Sequence, residues 1–177
     1  MGIFNRFPSL QDNIKVYAVI AAFIYAWSTL WLFWELPSSL YYLTAAEILP
    51  VFAYSLATNL FESLLVLAGL NLFCFLLPKS WFHESFVARG FLLVSLGLGY
   101  LMYFASLFGK EGNYPKGLLL WSPVVFIVIL VFSLVLGRVV FMKNLAEAIT
   151  DRLTIFLYLT VPLSVFSLLL VIVRNIR

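Results

Sequence analysis

Five stretches of this chain run for 18 residues or more without a single Lys, Arg or His: about 16–34, 50–77, 91–108, 118–136 and 154–173. About 20 mostly apolar residues cross a hydrocarbon core roughly 30 Å thick, so each stretch is of spanning length. Lipid offers a bare peptide group nothing to bond to, which leaves helices and closed barrels as the only spanning structures. The period-2 alternation of a lipid-facing barrel strand is missing from all five. The expected fold is therefore an all-α integral membrane protein with five transmembrane helices, residues 1–177 forming a single transmembrane helical domain. Composition agrees: 64% of residues are hydrophobic and 11% charged, against about half and about a quarter in soluble domains. The longest polar gap, 138–153, has 16 residues, too few for a soluble domain.

The eleven basic residues are scattered over several gaps and make no basic run, so they give no sign of nucleic acid and report topology instead. With the amino terminus cytoplasmic, Arg6, Lys15, Lys79, Arg89, Arg138, Lys143 and Arg152 fall inside, against Lys110, Lys116, Arg174 and Arg177 outside. Positive-inside bias favours that orientation, and a plasma or inner membrane is the expected location. The first apolar run, at 19 residues, exceeds a signal-peptide core, and no small-x-small cleavage site follows Trp34. It reads as a retained anchor. "MGIFNR" has Arg6 where a myristoylation signal wants Ser or Thr. Cys74, the lone cysteine, allows no intrachain disulfide.

Three gaps carry helical signals. Ser9 with Asp12 reads as the cap of a short interfacial helix before the first span. "ELPSSLYYLTAAEILP" reads as a short interfacial or re-entrant helix between the first two spans. Ser38 or Ser39 would cap it, Tyr41 and Tyr42 would sit at the headgroups, and Pro50 would end it. Glu35 and Glu47 would then face water or headgroups. "GRVVFMKNLAEAITDRL" reads as a cytoplasmic helix extending the fourth span. Lys143, Glu147 and Asp151 recur there every fourth residue, so they share one face, with Lys143 and Glu147 paired. That face is either solvated or a docking surface for a soluble partner.

The strongest functional signal is Glu62, a carboxylate inside the second span. Ser55, Asn59 and Glu62 advance by four and three residues and share one helical face. An ionisable side chain at bilayer depth costs on the order of 2.5–3.5 kcal/mol by insertion scales, so this face should meet protein or water. Three ways of satisfying Glu62 are open: a hydrogen bond to Asn59 or to Tyr25, Ser28 or Thr29 of the first span; a proton, cation or basic headgroup arriving through a water-filled entry; or a basic residue of another subunit. Asn71 lies on another face.

Other features are weaker. Ser95 and Gly99 form a small-xxx-small pair suited to close helix packing. Pro123 and Pro162 should kink the fourth and fifth spans. Trp27, Trp31 and Trp34 share a face that reads as an interfacial anchor or an acyl-chain surface. His83 beside Glu84, flanked by Lys79, Trp81 and Phe82, reads as an interfacial loop. A single His, no H-E-x-x-H and no Cys pair give no metal signature, and there is no phosphate loop or G-x-S-x-G. No catalytic residue, metal or cofactor is called. The expected function is a non-catalytic multi-pass membrane subunit that assembles with or stabilises a larger complex, its partners being membrane lipids and other membrane subunits or further copies of itself. The alternatives are a small proton- or cation-linked transporter or channel using Glu62 and Asn59, and an interfacial lipid-modifying enzyme using Glu62, Glu47 or His83.

Overall fold

The structure, a computed structural model, describes residues 8–76, 85–111 and 116–176. Among them are five helices and no strand: α1 Leu10–Ser39, α2 Ala45–Leu76, α3 Phe86–Glu111, α4 Lys116–Leu136 and α5 Val140–Ile176. At 1.5 Å per residue even α4, the shortest, reaches about 31 Å. All five are long and apolar enough to cross a membrane. Large apolar side chains such as Leu65, Leu120 and Ile155 point outward along the spans, an arrangement that suits a lipid surround and not an aqueous one.

α1 is the hub of the bundle. It packs on α2, α3 and α5, while α2 also meets α5, and α3 meets α4 and α5. The buried core draws Val16, Val19, Ile20 and Ile24 from α1, Leu70 and Cys74 from α2, and Phe86 and Val94 from α3. These come from the start of α1, the last turns of α2 and the first turns of α3, an apolar cluster at the end where α1 begins; further along, α2 buries Ala53 and Ala57 and α5 buries Thr160, Ser164 and Ser167. Gly90 lets α1 and α3 meet there, since a Cβ on it would lie 3.0 Å from Val16 Cγ2. An ion pair joins Lys15 to Asp151 at 2.8 Å on the same end. At the opposite end the Tyr54 hydroxyl donates to Asn175 Oδ1 at 3.1 Å, tying α2 to α5.

Three expectations about the gaps are corrected, all for one reason. Starting a helix fixes several residues for one hydrogen bond, whereas lengthening one gains a bond per residue. Ser9 does act as a cap, its Oγ accepting from Asp12 N at 3.1 Å, but the helix it opens is α1 itself. No separate helix stands between the first two spans. α1 continues through Pro37 to Ser39, the Ser38 and Ser39 hydroxyls donating back to the Glu35 carbonyl at 2.8 and 3.1 Å. After a turn that exposes Tyr41 and Tyr42, Thr44 opens α2. The Glu47 carboxylate accepts from Thr44 N and Oγ1, both at 2.8 Å, the reciprocal half of a T-x-x-E capping box. Pro50 therefore lies inside α2 and does not end a helix. Likewise, the helix carrying Lys143, Glu147 and Asp151 extends the fifth span and not the fourth. A turn at residues 137–139 ends α4, and nothing interrupts α5 from Val140 to Ile176. α4 and α5 run on through Pro123 and Pro162.

Gly137 at that turn lies over the stem of Arg89, a buried side chain only 1% exposed. A Cβ at 137 would fall on Arg89 Cγ and 2.8 Å from the Ser133 carbonyl oxygen. Gly99, by contrast, has nothing within 4 Å of its Cβ position. Gly137→Ala should therefore destabilise the bundle by about 1–3 kcal/mol, the usual range for overpacking. Gly99→Ala should stay within about 0.5 kcal/mol of the parent. Thermal unfolding of both variants in one detergent checks the contrast, which equal melting temperatures would refute.

Candidate functional site

Polar side chains within spans can bond only to the protein, to trapped water or to a guest, so their protein partners can be followed one by one. Tyr25 on α1 and Ser164 on α5 share a buried hydrogen bond of 2.6 Å. Tyr17 reaches Ser63 on α2 at 3.2 Å, and Ser28 meets Ser55 at 2.8 Å. Tyr100 on α3 bonds Ser122 on α4 at 2.8 Å. Thr58, Ser95, Ser133, Thr154 and Thr160 donate to carbonyls one turn back in their own helices. These bonds join α1 to α2 and to α5, and α3 to α4, or fold the hydroxyl onto its own backbone, where it is harmless.

Asn59 and Glu62 on α2 are bonded in neither way. Among the described residues neither side chain makes a hydrogen bond or ion pair, although Asn59 is only 4% exposed. The bond expected from Glu62 to Asn59 or the first span does not form. Tyr25 is committed to Ser164 and Ser28 to Ser55, while Glu62 lies exposed. It stands seventeen residues from the start of α2 and fourteen from its end, near the middle of the helix. Asn71, on another face, donates to the Leu67 carbonyl at 3.1 Å but leaves its buried Oδ1 unmet.

Both Asn59 and Glu62 line a cavity of about 790 Å³ whose walls are α2 and α3 and whose floor is α1. It exists because α2 and α3 each pack on α1 and not substantially on one another. Ser55 lines it too, so the three residues singled out from the sequence do share one site. Sequence reasoning missed what faces them: Trp27, Trp31 and Glu35 from α1, and Leu98, Met102 and Ala105 from α3. The Trp27 and Trp31 rings meet edge to face with centroids 6.0 Å apart, which turns two members of the supposed interfacial anchor towards the groove. Glu35 and Glu62 each lie seven residues, about 10 Å of helix, from the Ser28–Ser55 pair, in opposite directions. Among the described residues they are the titratable side chains of the lining, and no described Lys, Arg or His joins them. A second cavity of about 500 Å³ continues the groove beyond Glu62, sharing Val66, Leu98 and Leu101 with the first. Its further lining includes Gly69, Leu70 and Phe73 and is apolar throughout.

The remaining sequence candidates lie elsewhere. Ser95 is turned onto the Phe91 carbonyl at 2.6 Å, and Gly99 meets no neighbouring helix. Gly90, missed in the sequence, makes the close helix contact. Asp151 is held by Lys15, and the expected Lys143–Glu147 pair does not form. Lys preceding Glu is the weaker orientation for such a pair. Lys79, Trp81, Phe82, His83 and Glu84 lie outside the described residues. Among those described, no group of three or more His, Cys, Asp or Glu could hold a metal.

The difference between satisfied and unsatisfied polar groups is measurable. Tyr25→Phe should destabilise the isolated protein by about 0.5–1.5 kcal/mol by stranding Ser164. Asn59→Leu should be neutral or stabilising, because no bond is lost and an unmet amide goes. Unfolding in mixed micelles compares them, and a larger loss for Asn59→Leu would mean that Asn59 has a partner in the isolated protein after all.

The chain matches no family model, no curated protein and no solved structure, so its functional reading rests on this geometry.

Proposed function

We propose that the chain is a non-catalytic multi-pass membrane subunit that assembles with, and stabilises, a larger membrane protein complex. The observation that carries this reading is the pair Asn59 and Glu62, unsatisfied near the middle of α2 while the hydroxyls around them are bonded. A carboxylate at such depth is costly on an isolated bundle and becomes favourable when a donor or cationic side chain reaches it. Another subunit laid across α2 and α3 would supply that group and cover the open side of the groove. In this reading the amino terminus is cytoplasmic, as the basic residues favour, and the membrane is a plasma or inner membrane. The face of Lys143 and Glu147, with Asp151 already engaged by Lys15, is a second place for a soluble partner.

One observation favours a second reading, a proton- or cation-linked transporter: among the described residues the groove holds two carboxylates and no basic lining residue. Nothing comparable favours an interfacial enzyme, and Glu47, one of its candidate groups, is occupied in the cap of α2.

Purification from native membranes in mild detergent tests the subunit reading. A stoichiometric membrane partner should accompany the protein, and Glu62→Ala should reduce its recovery by about tenfold, equivalent to roughly 1.4 kcal/mol of binding. Ser95→Ala should leave recovery unchanged. A wild-type chain that emerges alone and monodisperse would overturn the proposal. Ion flux by that lone chain in liposomes, abolished by Glu62→Gln, would establish the transport reading in its place.

A further inference from the structure

We infer that the polar half of the groove is a water-filled vestibule that admits small hydrated cations from the α1–α2 turn and ends blind at Glu62. Its wall is a ladder of polar groups. Glu35 stands near the turn, the Ser28–Ser55 pair comes next, and Thr58, Asn59 and Glu62 follow towards the middle of α2. Asn59 supplies the independent sign of a guest. It is 4% exposed, its amide is unpartnered among the described residues, and it lines the cavity. A buried amide with no protein partner is normally met by ordered water. At about 790 Å³ the space is ample, since one water occupies roughly 30 Å³ of liquid.

The blind end follows from what lies past Glu62. The second cavity is lined by apolar side chains and glycines, and apolar cavities stay dry because water needs polar partners. Beside it, α1 is sealed against α2 and α3 by the Val16, Val19, Ile20 and Leu70 core. Solvent therefore enters from one end only.

Charge selects the guest. Among the described residues, the titratable groups facing the vestibule are Glu35 from α1 and Glu62 from α2. The described α3 lining is Leu98, Leu101, Met102 and Ala105, none of them titratable, and no described α5 residue lines it. Two carboxylates between low-dielectric walls concentrate cations and repel anions, and the Trp27 and Trp31 faces add to that preference. The donors at the blind end are one carboxylate and one amide, far short of the six or more oxygens with which a divalent ion is enclosed. The guest therefore keeps its own water, as hydronium or a hydrated alkali cation does. The vestibule exists in the isolated chain, and a partner laid across α2 and α3 would roof its side while leaving the entrance at Glu35 open.

Thiol labelling of the purified protein in liposomes tests this. In a Cys74→Ala background, single cysteines are placed on the ladder (Ser55→Cys, Thr58→Cys, Asn59→Cys) and beyond its end (Val66→Cys, Gly69→Cys). Each is treated with methanethiosulfonate reagents bearing an ammonium or a sulfonate group. The ladder cysteines should react, with the cationic reagent faster by about tenfold, and Glu35→Gln with Glu62→Gln should remove that preference. Val66→Cys and Gly69→Cys should be inert. Slowing at Asn59→Cys by sodium or potassium at fixed ionic strength, lost with Glu62→Gln, identifies an alkali cation as the guest; its absence identifies hydronium. The inference is overturned if Thr58→Cys and Asn59→Cys both resist the reagents in protein that elutes as the parent does, if the two reagents react equally, or if Gly69→Cys reacts as fast as the ladder. A chain that purifies without a partner would sink the subunit reading and leave these rates untouched.

Discussion

A polar group inside a bilayer can bond only to the protein, to trapped water or to a guest, and every feature of this bundle follows from how that demand is met. The backbone meets it by forming helices. The hydroxyls meet it by short bonds to one another or to their own carbonyls, and the longest-range of them, Tyr25 to Ser164, joins the first helix to the last. Because α1 makes three of these interhelical bonds, through Tyr17, Tyr25 and Ser28, it is fixed in the centre. α2, α3 and α5 pack against it, and α4 joins the bundle through α3. α2 and α3 then have to flank α1 without closing on each other, and the groove is the space left between them.

The two ends of the bundle are built differently. Where α1 begins, residues with no exposure such as Val16, Val19, Ile20 and Ala146 interlock, Gly90 permits a close crossing, and Lys15 clamps Asp151. An exposed ion pair adds little energy, so this clamp fixes register more than it stabilises. Towards the other end α2 and α5 remain in contact and Ile48, Ala53, Ala57 and Ser167 are buried, while α2 and α3 stand apart around the groove. The packed core holds α2 and α3 at a set separation, and the groove presents the groups between them.

Much of this was legible in the sequence because the controlling rule is local. Apolar runs of spanning length mark their helices without reference to the rest of the chain, and all five are present. The shared face of Ser55, Asn59 and Glu62 follows from helical spacing alone and holds in three dimensions. Termini and connections were less legible. "ELPSS" looks like a break, yet Pro37 removes one backbone donor and the two serines return their hydroxyls to the Glu35 carbonyl. The T-x-x-E of Thr44 and Glu47 is a legible capping box, and it sets the start of α2 ahead of Pro50. The opposite wall of the groove was not readable at all. No spacing within α2 says that Trp27 and Trp31 on one helix and Leu98 on another will stand opposite Glu62.

Glu62 also shows why an ionisable group in a span does not by itself distinguish assembly from transport. A partner's cationic side chain and a hydrated cation satisfy the same carboxylate through the same electrostatics. What separates them is access. A side chain arrives laterally, across the faces of α2 and α3, and excludes water as it does so. A hydrated ion arrives axially, from the turn, past Glu35 and the Ser28–Ser55 pair. The polar groups of this groove are strung along the axial route from the turn and stop at Glu62, while its far end is bare of them. A lateral contact alone would need polar groups only at the depth of Glu62. The ladder above it is surplus to that need, and an axial path gives it a purpose.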